Sequence, residues 1–157
     1  MDLYYVGVLL WLFRMFVSCI ISLLIGLVGV RILDKITAEI TEFKAIKGNA
    51  EATALYVSGF MVFAGLVIHG SALNPMFLGQ SILIGPYFNL ERLLVVLSSV
   101  ALSIFLAWVF YVVFAKSTPF GIDLDDINRS PIAIGAFMFC YEVYMGLVIH
   151  ASLMIPL

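Results

Sequence analysis

The chain has 157 residues, of which 64% are hydrophobic and 11% charged, and its mean hydropathy is +1.16. This composition leaves too little polar surface to cover a water-soluble globule, so the chain is expected to be solvated by a lipid bilayer. A formal net charge of −2 and the lack of a polybasic cluster argue against a nucleic-acid partner.

Four apolar segments occur in chain order, at about residues 3–30, 52–74, 92–115 and 131–155. Each exceeds the roughly 20 apolar residues that a helix needs to cross a bilayer, and lipid requires such a segment to be helical. The sequence therefore predicts an all-α membrane protein, a single integral membrane domain over residues 1–157 with four transmembrane helices.

The two connections that carry most of the basic residues predict the orientation. Residues 31–49 have apolar residues at helical spacing and charged residues on the other faces, which is typical of an amphipathic segment at a membrane surface. Lys and Arg are concentrated in loops 31–50 and 116–130, so both loops are predicted to be cytoplasmic. The N- and C-termini are then predicted to lie outside, in the periplasm.

Residues 75–91 form the connection between the second and third apolar segments. Residues 76–85 of it are apolar but too short to span, and this stretch is bounded by Asn74-Pro75 and Gly85-Pro86. Two interpretations remain open: an interfacial loop, or a segment that re-enters the membrane.

An internal repeat relates the two halves of the chain. The sequence GLVIHGS at residues 65–71 recurs as GLVIHAS at residues 146–152, displaced by 81 residues. Matches at the same displacement extend to the other segments, including Ser18 with Ser99 and Ser22 with Ser103. The sequence thus predicts two tandem helical hairpins, at about residues 1–76 and 86–157, with the same orientation because each contains two spans.

Two ionisable residues lie deep in the predicted spans, Arg14 in the first and Glu142 in the fourth. A charge at such depth costs several kcal/mol unless it is paired or hydrated. Counted from the outer face, both residues are at similar depths. We therefore predict an ion pair between Arg14 and Glu142, within one chain or between copies of the chain. Such a pair either has a structural role, in which it fixes the register of the helices, or a functional one.

His69 and His150 occupy equivalent positions of the repeat. They could form interhelical hydrogen bonds, a pH-responsive constriction or a metal site, but two ligands are too few for zinc, and no metal site is predicted.

Other polar positions suggest packing. Ser18, Ser22, Ser99 and Ser103, together with many glycines, favour close helix packing and self-association. Asn49 and Ser130 are the predicted N-caps of the second and fourth helices.

The segment KGNAEATA at residues 47–54, followed by Gly59 and Gly65, resembles domain-of-unknown-function family 350, the YjfL-like bacterial inner-membrane proteins. The resemblance covers nearly the whole chain. It implies a short protein of the bacterial inner (plasma) membrane with four spans and an internal duplication, and it implies no particular activity.

No catalytic motif occurs, so the sequence predicts neither an enzyme nor a cofactor. Two functional hypotheses remain. The first is a homo-oligomeric protein for permeation or transport of an ion or small solute. The alternative is a membrane scaffold or envelope-stress signalling component that docks a soluble cytoplasmic partner.

Overall fold

The computed structural model describes residues 3–36, 44, 46–73, 90–116 and 130–154. The regular structure in these ranges consists of four helices: α1 (Leu3–Ile36), α2 (Ala50–Ala72), α3 (Leu90–Lys116) and α4 (Pro131–Met154). Each is long and apolar enough to cross a membrane, which confirms the predicted all-α class with four such helices. No strand occurs in the described ranges.

The centre of the fold is the contact between α2 and α4. A β-carbon added at Gly135 would lie 2.8 Å from both Cα and O of Ala52, and one added at Gly59 would lie 2.8 Å from Cα of Phe139. The helix backbones therefore touch at these glycines, as small residues allow. Further along, Gly146 meets Phe63 in the same way. Contacting residues are 80 to 83 positions apart in all three pairs, so α2 and α4 run parallel.

α1 packs against α2 in the opposite direction. Gly26 of α1 faces the Met61 side chain, and Gly29 faces the Phe60 ring, so the residue number falls along α2 as it rises along α1. Near the connection, Asp34 and Lys47 form an ion pair of 2.6 Å whose side chains are 64% and 42% exposed. Such an exposed pair contributes at most about 1 kcal/mol.

α1 extends six residues beyond the predicted end of the first apolar segment, to Ile36. The added residues are amphipathic rather than apolar, and an amphipathic sequence continues a helix when one face packs. Leu33 supplies that face, because it packs against the hydrophobic core.

The core lies between α2, α3 and α4 and includes Phe60, Phe63, Val67, Val96 and Met145. By contrast, most of α1 is exposed: Leu9, Trp11, Phe13, Phe16 and Leu24 are each between 55% and 64% accessible. A continuous apolar surface of this kind is unfavourable in water, so it requires lipid or another chain around it.

Candidate functional site

Glu142 lies halfway along α4 and is only 7% exposed. Its Oε2 atom is buried and has no hydrogen-bond partner among the residues that the structure describes. A β-carbon added at Gly59 would lie 2.5 Å from this oxygen, so the carboxyl occupies the space that the glycine leaves open. Burying such a group without a partner costs on the order of 1–3 kcal/mol or more.

Glu142 borders a partly open cavity of about 50 Å³ that is lined by residues of all four helices. Six of the lining side chains are aromatic, and the others are aliphatic except for Glu142. The lining consists of Leu33, Tyr56, Phe60, Phe63, Ile104, Ala107, Trp108, Tyr111, Met138, Tyr141 and Glu142. Glu142 is thus the single acidic group in an aromatic-walled space, which we call the Glu142 cavity.

Helical periodicity brings the carboxyl inward. Met138 and Met145 are buried on the same side of α4, three to four residues before and after Glu142. Residues at this spacing share one face of a helix. An acidic residue has therefore been placed on the apolar face that packs into the core, and not on the exposed face.

Tyr141 fixes part of the cavity wall. Its hydroxyl donates a hydrogen bond of 2.7 Å to the carbonyl oxygen of Ala107 on α3. Its ring meets Tyr111 edge-on at 6.0 Å between centroids and stacks on Phe137 at 6.5 Å. The hydrogen bond fixes the Tyr141 hydroxyl, and the ring contacts restrict the rotation of the Tyr111 and Phe137 side chains.

His69 and His150 lie side by side, with ring centroids 5.2 Å apart. Nδ1 of His150 is 3.0 Å from the carbonyl oxygen of Leu66 on α2. A carbonyl only accepts, so this hydrogen bond requires the proton on Nδ1. The structure brings the two predicted imidazoles together, but the described residues contain no group of three or more His, Cys, Asp or Glu side chains suited to a metal.

The four predicted serines do not gather at the Glu142 cavity, and none belongs to its described lining. Ser103 is buried at 3% exposure, whereas Ser18, Ser22 and Ser99 are partly buried. The two predicted caps differ in geometry. Asn49 Oδ1 accepts from the amide of Ala52 at 3.0 Å, while Ser130 Oγ is 3.4 Å from the amide of Ala133.

The predicted pair of Arg14 and Glu142 conflicts with the helix register inside one chain. Gly26 and Gly29 lie level with Met61 and Phe60, so the antiparallel register places the backbone of Arg14 near the C-terminal end of α2. Glu142 lies level with Gly59. At 1.5 Å per residue the two levels differ by roughly 20 Å, too far for two side chains to bridge. A pair between copies stays a prediction, and the Arg14 side chain lies outside the described residues.

Several other predictions fall where the structure gives no description. These are the connection 75–91 up to residue 89, most of the amphipathic segment 31–49 beyond Ile36, the loop 116–130 after Lys116 and up to residue 129, and both extreme termini. The interfacial, re-entrant and cytoplasmic interpretations of these segments therefore stay predictions.

Sequence reasoning missed the aromatic wall around Glu142. A signal was available, because Tyr56, Phe60 and Phe63 recur at i, i+4 and i+7, and Trp108 and Tyr111 are three positions apart. Each set shares one helix face. That these faces converge on Glu142 depends on how the helices pack against each other.

Fold and site together define an all-helical protein with four helices suited to a membrane and one carboxyl buried in an aromatic cavity. The chain belongs to the family described as Domain of Unknown Function (DUF350), whose model matches residues 6–153. This match confirms the resemblance found in the sequence. None of the curated proteins and none of the solved structures compared with the chain matches it.

Proposed function

We propose that this protein transports a cation across the bacterial inner membrane, and that Glu142 is the membrane-buried group that takes up a proton or the transported cation. The observation that carries the proposal is the Glu142 side chain, which lines a partly open cavity between the four helices and has a buried carboxyl oxygen with no partner among the described residues. Ionisable groups at such depth are costly, and membrane proteins that keep them use them in ion or proton pathways.

The position equivalent to Glu142 in the first half of the repeat argues that the fold does not need a carboxyl there. Met61 lies 81 residues before Glu142 and packs against Gly26 of α1. Met61 is 38% exposed and Glu142 only 7%, so the apolar residue holds the more exposed of the two positions and the acidic residue holds the buried one. The extra cost of Glu142 is best explained by chemistry that a methionine lacks.

Parallel packing of α2 and α4 supports the proposed duplication into two same-sense hairpins. The offset between contacting residues is close to the 81-residue displacement of the repeat, so equivalent positions lie level. Equivalent hydrogen bonds also recur: Ser71 Oγ donates to the Val67 carbonyl at 2.8 Å, and Ser152 Oγ donates to the Val148 carbonyl at 2.9 Å.

Insertion as four spans, with both termini in the periplasm, completes the proposal. The exposed apolar surface of α1 fits contact with lipid or with another copy of the chain. Close packing at Gly59, Gly135 and Gly146 leaves no path between α2 and α4 at those points. The proposed movement through one chain passes by the Glu142 cavity, and self-association would place several such cavities in one assembly.

Currents from reconstituted protein test the role of Glu142. Proteoliposomes adsorbed on a solid-supported membrane are exposed to an acidifying pH jump, and we expect a current from the wild-type protein that Glu142→Gln abolishes. Glutamine keeps the shape of the side chain but cannot exchange a proton. Glu51→Gln, at an exposed position in the first turn of α2, is the matched control and should retain the current.

A current that survives Glu142→Gln would remove Glu142 from the proposal. A wild-type protein that gives no more current than empty liposomes would contradict transport itself. Capture of a soluble cytoplasmic partner by that silent protein would then favour the scaffold.

A further inference from the structure

We propose that the Glu142 cavity binds a monovalent organic cation, with an alkylammonium group against the carboxylate and the aromatic side chains around it. The inference rests on the proposed function, since it names the class of cation that Glu142 meets. It depends on three features of the cavity: one acidic group, aromatic walls and a small volume.

The single acidic side chain of the cavity favours a ligand with one positive charge. Glu142 is the one acidic side chain in the described lining, and neither Lys nor Arg is present there to neutralise it. Its Oε2 atom is buried against Gly59 and has no hydrogen-bond partner among the described residues, so a ligand can supply the missing contact once the carboxyl turns towards the cavity. An ammonium group that donates to this oxygen, or a quaternary one that only lies near it, would offset the cost of burying the carboxylate.

Aromatic walls favour an organic cation over a metal ion. Mg²⁺ and Ca²⁺ require about six or more oxygen ligands, and the cavity offers one carboxylate and the hydroxyls of three tyrosines: Tyr56, Tyr111 and Tyr141. The faces of Trp, Tyr and Phe instead attract alkylammonium groups through their ring quadrupoles, most strongly where water is excluded. Tyr141 is already held by the Ala107 carbonyl, so its hydroxyl proton is committed elsewhere.

Size limits the ligand to a small headgroup. The cavity measures about 50 Å³. One water needs roughly 10–15 Å³ on this scale, so a group as large as a few waters fits. Trp108 lines the cavity and is 41% exposed, which places it at the rim between the cavity and the outer surface. An attached chain or ring of a larger amine would leave the cavity past this side chain.

Trp108 also provides a probe for binding. The chain has two tryptophans, so Trp11→Phe in the distant, exposed part of α1 leaves Trp108 as the single fluorophore. Purified Trp11→Phe protein in nanodiscs is titrated with choline and, separately, with 3,3-dimethylbutan-1-ol, its uncharged carbon analogue. Sodium chloride at the same concentrations controls for ionic strength. We expect saturable quenching or a spectral shift with choline alone.

Two further variants assign the contacts. Glu142→Gln is expected to weaken choline binding by about tenfold or more, the effect of losing a contact to a charged partner in a buried site. Phe63→Leu, which removes one aromatic face and keeps an apolar side chain, is expected to weaken binding severalfold. Glu51→Gln should bind as the parent protein does.

Four results would overturn the inference, and only one of them depends on the Glu142→Gln variant. Equal binding of the uncharged analogue would make the cavity an apolar pocket, and an equal response to sodium would make it a simple cation site. Unchanged choline affinity in Glu142→Gln would place the ligand elsewhere. If choline does not bind while the pH-jump current persists, this inference fails and the proposed transport stands. If choline binds while the wild type gives no current, the proposed transport fails and the binding site stands.

Discussion

The buried carboxyl of Glu142 is expected to lower the stability of the fold and to be required for the proposed transport. Its Oε2 is buried without a described partner, while Met61 holds the equivalent position in the first half of the chain. We expect Glu142→Met to raise the free energy of unfolding by about 1–3 kcal/mol, because the cost of an unsatisfied buried polar group disappears. Unfolding in mixed micelles of dodecylmaltoside and sodium dodecyl sulfate measures the change.

The same variant should give no pH-jump current. A destabilised Glu142→Met protein would mean that the carboxyl has a structural partner, such as Arg14 of another copy. The expected combination of a more stable and inactive protein is the pattern of a residue kept for chemistry at the expense of stability.

The caps of α2 and α4 allow a second comparison of single residues. Asn49 has extended backbone angles of −129° and 121° and accepts from the Ala52 amide at 3.0 Å, whereas Ser130 Oγ is 3.4 Å from its amide. Asn49→Ala is expected to cost about 1 kcal/mol of unfolding free energy, measured in the same mixed micelles. Ser130→Ala serves as the control and should cost clearly less; equal losses would show that the distances do not govern capping here.

Part of the candidate site could be predicted from single residues. Glu142 was identified because a carboxyl in the middle of an apolar segment is costly wherever the segment packs. The predicted pairing with Arg14 inside one chain does not fit the helix register, because depth was counted from the ends of apolar segments. The register of α1 is instead determined by the contacts of Gly26 and Gly29 with α2, and nothing in the residue types fixes which side chains will meet a glycine.

Between elements, the backbone contact of α2 and α4 should be the most sensitive part of the fold. A β-carbon at Gly135 would lie 2.8 Å from backbone atoms of Ala52, which cannot rotate away. Gly135→Ala is therefore expected to lower the unfolding free energy by about 1–3 kcal/mol through overpacking.

Gly65→Ala is the matched control for this contact. Gly65 also lies inside a helix of the same pair, but an added β-carbon there would have no atom within 4 Å. Alanine is the better helix former by about 1 kcal/mol, so this variant should be unchanged or slightly more stable. If Gly135→Ala and Gly65→Ala lowered the unfolding free energy equally, the loss would come from the effect of alanine within each helix and not from the contact between α2 and α4.

Helices were predicted more closely than their packing. The apolar segments at 52–74 and 131–155 correspond to Ala50–Ala72 and Pro131–Met154, since a long apolar run and a capping residue are local signals. α1 continues to Ile36, past the apolar segment that ends at about residue 30, and Leu33 in this added part packs into the core. Local patterns do not report such tertiary contacts.

At the scale of the whole molecule, the proposed topology can be tested directly. Alkaline phosphatase is active only when it is exported, so we expect activity when it is fused after Leu157 and none when it is fused after Gly48. Green fluorescent protein at the same sites should give the opposite pattern, because it fluoresces in the cytoplasm. Activity after Gly48 would reverse the orientation that the basic residues predict.

The parallel contact of α2 and α4 has a consequence for how a lone charge can be accommodated. In a twofold-symmetric pair of identical hairpins, any carboxyl on one hairpin recurs on the other, so acidic groups come only in pairs. The two hairpins proposed here are joined in one chain, which lifts this restriction. His69 and His150 can stay alike where equivalent residues meet, while Met61 and Glu142 differ. A single chain that contains both hairpins can thus carry one buried carboxyl, that of Glu142. A twofold-symmetric dimer of one hairpin would carry two.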